Sequence, residues 1–361
     1  MKKKNKTIVT IICIILVISS LGLLTSVLAK NVSHSGGSNV GGSQKNTSTT
    51  TTPVVTQKPK EWSEYFLPSA FSDFIPYTAL VDGDRLIVGG NREFLFYSSD
   101  GKIFNSVELT FESVDQALVS GDYIQDIVVF KDRYYFISRK NGLYTCDRDF
   151  KDTRLILEQS SLRDLTVGDE GLLVCGVGVV YYSEDIENWK QITVSANYPV
   201  AFYVNNQFIV SCGSKELLSI SNSGNTVMKL AKPTDYDNIT NKLLESNNQM
   251  KSSCIYEDKL AFVGLSGAAY VVSTNDLLNW NLTSIDTDSS FNFEDVCYYD
   301  GTFYAVGYPS DGYFGYLFRF DEEMRMWKAV EGIQFGHMYQ IEVYEDGLYI
   351  FGEDKRLYIY E

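Results

Sequence analysis

The chain has 361 residues and a formal charge of −15, and because its first thirty residues hold five lysines and no acid, the remainder carries −20. So acidic a body is excluded as a nucleic-acid binder, which needs cationic groups against phosphate, and it would not adhere electrostatically to an anionic membrane or wall polymer. Its 25 Tyr and 21 Phe, with recurrent Val and Ile, favour pleated, half-buried strands over helices.

Lys2, Lys3, Lys4 and Lys6 precede residues 7–29, a stretch of 23 residues without a charge. Such a run is long enough to cross about 30 Å of hydrocarbon as one helix, with its basic end left in the cytoplasm. It reads as an uncleaved signal-anchor of a single-pass cell-membrane protein, and everything beyond Lys30 is then extracytoplasmic. A cleaved signal peptide, which would release a secreted protein, is the competing reading, because Val27-Leu28-Ala29 resembles a small-residue cleavage site. Residues 31–60 are rich in Ser, Thr, Gly and Asn and have too little apolar surface to offset the entropy of ordering, which predicts an extended linker.

From Glu61 to Glu361 the sequence repeats. Each unit has an apolar run, an acidic or Asn/Gly turn, a second apolar run that often ends in Gly, and a third strand. The second runs include Leu86-Ile87-Val88-Gly89, Leu172-Leu173-Val174-Cys175-Gly176, Tyr304-Ala305-Val306-Gly307 and Tyr349-Ile350-Phe351-Gly352, and there are seven of them. The hairpin turns before them lie at Asp82, Asp132, Asp169, Asn205, Asp258, Asp300 and Asp346, at intervals averaging about 44 residues. That period, with about four strands per unit, predicts an all-β, seven-bladed β-propeller preceded by one transmembrane helix. The last unit ends at Leu357-Tyr358-Ile359-Tyr360 without a fourth strand, while Trp62-Ser63-Glu64-Tyr65-Phe66 stands outside the first unit. The N-terminal strand is therefore predicted to complete the seventh blade and remove an exposed edge.

A second marker follows several third strands. Ser98 and Asp100 precede Phe104, Ser183 and Asp185 precede Trp189, and Thr274 and Asp276 precede Trp280. A degenerate copy runs from Ser221 to Val227, and the sixth unit has Asp321 and Glu323 before Trp327. These motifs resemble the Asp-box, or bacterial neuraminidase (BNR), repeat. The resemblance covers residues 61–361 and implies that the hydroxyl and carboxylate hydrogen-bond the backbone of the turn while the aromatic plugs the blade, a structural role. The central Gly is mostly missing, and Thr145 and Asp147 in the second unit lack the aromatic. Relatives implied by the resemblance include sialidases, sorting receptors and photosystem II assembly factors, so it carries fold further than function.

A sialidase needs an arginine cluster and a Tyr–acid nucleophile pair, but only ten arginines lie beyond the anchor and the Arg-Ile-Pro motif is absent. The two histidines, His34 and His337, and the five cysteines beyond Cys13 show no metal-ligand spacing, and no phosphate loop or nucleophile elbow appears, so no cofactor and no metal are expected. The cysteines read as free, apolar thiols; Cys254 and Cys297 share one repeat position and fall in different sheets. Candidate ligand-binding residues are Arg92, Arg139 and Arg356 in second-to-third connections, which are expected to ring the channel mouth. Tyr308, Asp311 and Tyr313 join them from a long loop over residues 308–316. Residues 229–251 form the longest insertion, with a short helix expected over 239–250. The reading is a membrane-anchored scaffold binding a protein or glycan partner. The alternative is a glycan-active hydrolase using carboxylates on the loop-rich face, and a membrane-complex assembly factor is a third.

Overall fold

The computed structural model describes residues 60–67, 74–92, 95–113, 117–118, 121–194, 199–211, 217–221, 227–230, 250–275, 283–285, 291–312, 314–331, 336–353 and 355–361. Among the described residues no helix is long and apolar enough to cross a membrane, and the apolar run 7–29 lies outside them. The strands form seven sheets, each the blade of a β-propeller. In the first blade the order from the channel outward is Pro76–Asp82, Arg85–Gly90, Leu95–Ser98 and Asn105–Ser106. The second, third and fourth blades begin at Ile124–Phe130, Leu162–Val167 and Val200–Val204 and likewise hold four antiparallel strands.

Tight hairpins set the register inside each blade. Asn205 and Asn206 have φ of 50° and 58°, and Asp300 and Gly301 have 45° and 87°, the left-handed pair that a two-residue hairpin turn requires. In the turns between third and fourth strands, Asp100 Oδ1 accepts the N–H groups of Lys102 and Ile103 and the Ser98 hydroxyl. Asp185 does the same for Glu187, Asn188 and the Ser183 hydroxyl. Phe104 and Trp327 are buried and Trp189 is half-buried; Thr274 is buried, and Asp276 and Trp280 lie outside the described residues. The second blade has an aromatic after all: Phe150, at φ 61°, stacks on Tyr134 at 5.0 Å.

The circle closes as the repeat pattern implies. Trp62–Phe66 pairs antiparallel with Arg356–Tyr360, the third strand of the seventh blade. Backbone bonds from Glu61 N–H to Glu361 O and from Leu67 N–H to Lys355 O bracket the pairing, and the Trp62 ring stacks on Tyr360 at 5.0 Å.

Three strands of the fifth blade are described, Met250–Tyr256, Lys259–Gly264 and Ala269–Ser273, and residues 276–282 beyond them lie outside the described residues. Thr283 N–H then bonds to Ala269 O of the same blade, and Ser284–Ile285 pairs in parallel with Met326–Ala329 of the sixth blade. The fully buried Trp327 fixes that crossing by donating its Nε1–H to the Thr283 hydroxyl at 2.9 Å. The helix expected over 239–250 lies outside the described residues except for Met250, which opens a strand.

The core is divided into seven apolar seams, one between each pair of neighbouring blades. Phe74, Leu86 and Phe96 of the first blade meet Tyr344, Phe351 and Ile359 of the seventh, and an equivalent cluster fills every other junction. Each large side chain so buried contributes roughly 1.5–3 kcal/mol. Cys146, Cys175 and Cys297 are buried thiols outside any disulfide, and Cys254 is a half-buried one.

Candidate ligand site at the channel mouth

The innermost strand of each blade lines a central cavity of about 940 Å³. In six of the seven blades this strand carries a β-bulge near its start. The register slips between Pro76 and Thr78, Ile124 and Asp126, Leu162 and Asp164, Met250 and Ser252, Phe293 and Asp295, and Met338 and Gln340. The extra residues are Tyr77, Gln125, Arg163, Lys251, Glu294 and Tyr339. All six are polar or phenolic, and all six line the cavity. A bulge re-aims a side chain that regular pleating would bury in a sheet face. Repeated around the ring, it builds a crown of functional groups at one end of the channel. In blade four the described pairing begins with Val200 and Ser211, and no register slip falls among its described residues.

Glycine makes room for the bulges. A Cβ on Gly307 would lie 2.4 Å from Asn292 O and 3.0 Å from Phe293 Cα, and one on Gly90 would lie 2.2 Å from Ile75 O. The glycine that ends so many second strands is therefore a close-approach residue.

The crown has a cationic and an aromatic side. Lys251 Nζ contacts Glu294 Oε2 at 3.0 Å, and the Tyr308 hydroxyl donates to Glu294 Oε1 at 3.2 Å. Tyr308 stacks on His337 at 4.6 Å, and His337 meets Tyr339 edge-on at 6.1 Å. Burial and the Glu294 charge push the Tyr308 phenol up to about 12, the opposite of an activated nucleophile. Across the mouth, Tyr77 packs edge-on against Tyr123 at 5.5 Å, and the Arg139 guanidinium lies 5.6 Å over the Tyr123 ring. The Arg139 loop is braced by buried Asp122, which accepts the N–H groups of Tyr123 and Lys140 and the Ser138 hydroxyl.

Both ends of the channel carry charge, and at the far end acids stand beside the cations Arg85, Lys131, Arg133 and Lys259. Every hairpin turn except that at Asn205-Asn206 carries at least one acid, for example Asp82 and Asp84, Asp169 and Glu170, and Glu345 and Asp346. These turns lie at the far end of the innermost strands from the crown, where Arg139, Arg163 and Lys251 are placed.

Of the residues singled out in the sequence, the structure brings Arg139 to the cavity wall and Tyr308 to its rim. Tyr308 belongs to the strand Thr302–Pro309 and not to a loop, which shortens that connection to 310–315. Asp311 is exposed in it, and Tyr313 lies outside the described residues. Arg92 occupies the turn after Asn91 with φ 58°, off the cavity wall. Arg356 opens the third strand of the seventh blade and pairs with Glu64 at 3.1 Å on the blade's outer edge, away from the channel.

No family model matches the chain, and no curated protein matches it. Solved structures do. The chain resembles virginiamycin B lyase from Staphylococcus aureus, with 11% identity, a TM-score of 0.63, and 83% of this chain aligned with 99% of that one. It resembles the extracellular domain of the putative one component system BT4673 from B. thetaiotaomicron, at 14% identity and TM-score 0.61, spanning 83% of this chain and 40% of that one. YCF48 from Cyanidioschyzon merolae matches at 13% identity and TM-score 0.59, over 83% and 98% of the two chains. At such identities these likenesses establish the seven-bladed propeller and nothing about chemistry.

Proposed function

We propose that the protein is a membrane-anchored, extracytoplasmic binding module that holds a segment of a partner protein in the bulge-lined mouth of its channel. The observation that carries this is the crown itself: six backbone insertions at one repeat position, each presenting a hydrogen-bonding or charged group to the same cavity. None of the six residues belongs to an apolar seam. Two resembling structures support the reading at the level of fold: YCF48 has been solved bound to D1 peptide, and the BT4673 propeller is an extracellular domain. The basic residues before the apolar run at 7–29 support the anchor. The Asp-box resemblance belongs to the same proposal, as the motif that shapes the turns on the opposite face.

The test is binding of the full-length protein to peptide and glycan arrays. Replacing Arg163 and Lys251 together by Ala lowers peptide retention by about tenfold or more, whereas Arg85→Ala on the hairpin face leaves it unchanged. Equal loss from both, or retention of glycans and no peptides, refutes the proposal.

A further inference from the structure

Directly beneath the crown the channel wall is acidic. Asp126, Asp164 and Asp295 each follow a bulged residue, and each is wedged between blades. Asp126 accepts the Thr78 hydroxyl of the first blade at 3.2 Å and the Leu165 N–H of the third at 2.7 Å. Asp164 accepts the Ala201 N–H of the fourth at 2.9 Å, and Asp295 accepts the Ser252 hydroxyl of the fifth and the Ile341 N–H of the seventh. Glu342 lies one pleat deeper on the seventh blade, where its carboxylate accepts only the Val343 N–H among the described contacts.

The surroundings of this belt oppose negative charge. Burial, with the neighbouring Asp164 added, pushes Asp126 well up, and burial with the Asp295 charge pushes Glu342 up to about 8. Burial also raises Asp164, and it raises Asp295 to about 6. The other titratable groups facing the belt stay neutral: burial raises the Tyr77 phenol on the first blade and Tyr339 on the seventh, and raises the Cys254 and Cys297 thiols on the fifth and sixth. The Cys175 thiol of the third blade bonds to Asp164. The fixed charges are Arg139, Arg163, Lys251 and Glu294 above the belt and, at the far end, Asp82 paired with Arg148.

We propose that ligand capture at the crown is proton-linked: with Asp126, Asp164, Asp295 and Glu342 protonated, Arg139, Arg163 and Lys251 hold an acidic segment of the partner, and loss of those protons expels it. This rests on the crown being the binding site. Among the described residues that line the crown, three cations, Arg139, Arg163 and Lys251, stand against one acid, Glu294, and that excess selects an acidic ligand. Protonation of the belt then removes the nearest like charges, and by reciprocity the ligand raises proton affinity.

The test uses acetyl-tetraglutamate amide, whose carboxylates are ionised throughout, titrated calorimetrically into the full-length protein from pH 6 to 8.5. Affinity falls by about tenfold or more across that range, and heats in buffers of different ionisation enthalpy report net uptake of at least about one proton per ligand. The isosteric pair Asp126→Asn with Glu342→Gln binds at pH 8.5 several-fold more tightly than the native chain does at that pH, and its remaining loss between pH 6 and 8.5 is smaller than the native chain's. Binding that is flat with pH, or free of proton uptake, overturns the linkage while leaving the crown as a site. No binding at any pH overturns the crown itself as an anion site. Should the variant pair misfold, the native chain's buffer-dependent heats decide alone.

Discussion

Replacing Glu342 by Gln stabilises the protein at alkaline pH and leaves it unchanged at acidic pH. Burial and the Asp295 charge raise this carboxyl from 4.5 to about 8. A raised folded-state value means that stability is fully present below the unfolded value and is lost as pH climbs from about 4.5 through 8. The shift corresponds to a ceiling of about 5 kcal/mol at pH 8.5. Glu342 is only half-buried by surface and faces the channel, so water there trims the realised cost to about 1–2 kcal/mol. Gln keeps the size and the acceptor for the Val343 N–H but carries no charge. Thermal melts followed by circular dichroism should therefore show the variant higher by roughly 2–6 °C at pH 8.5 and within error of the native chain at pH 5. Destabilisation at both pH values would refute the reasoning, because it would mean an ionised Glu342 held by a partner.

Two other perturbations address closure and the crown. Trp62→Ala removes the stack on Tyr360 and costs about 1–2 kcal/mol in chemical denaturation, and deleting residues 61–67 leaves the Arg356–Tyr360 edge unpaired, so that light scattering shows association of the otherwise folded ring. Gly307→Ala forces a Cβ against the backbone of Asn292 and Phe293 and costs about 1–3 kcal/mol; the same variant displaces Glu294 and weakens peptide retention, whereas Gly83→Ala, strained at φ 60° in an open turn, lowers stability without touching retention.

The ring was legible because its determinants are local and repeated. Asn205-Asn206 and Asp300-Gly301 announce hairpins by the φ values they tolerate, and the missing fourth strand after Tyr360 points to Trp62. The crown was less legible for a physical reason. A bulge inserts one residue and breaks the two-residue alternation, so it reads as noise in a strand pattern. The signal is nonetheless present as an apolar–polar–polar–apolar quartet, in Ile124-Gln125-Asp126-Ile127, Leu162-Arg163-Asp164-Leu165 and Phe293-Glu294-Asp295-Val296, followed in the latter two units by the second-strand glycines Gly176 and Gly307. The arginines chosen by loop position divided accordingly. Arg139 reaches the cavity because its loop is braced on Asp122, while Arg356 faces outward at the start of a strand whose edge is taken by Trp62–Phe66.

The junction of the fifth and sixth blades is tied through one residue: Thr283 donates its N–H and its hydroxyl to Ala269 O of the fifth blade and accepts the Trp327 Nε1–H of the sixth, before Ser284–Ile285 pairs with Met326–Ala329. An indole N–H left without that hydroxyl would cost about 1–3 kcal/mol. Stability thus resides in seams and buried aromatics, where the crown residues make no contribution. The six bulged positions stand outside those seams, so the surface they form is set apart from the packing that holds the ring, which is the property a binding surface needs from its scaffold.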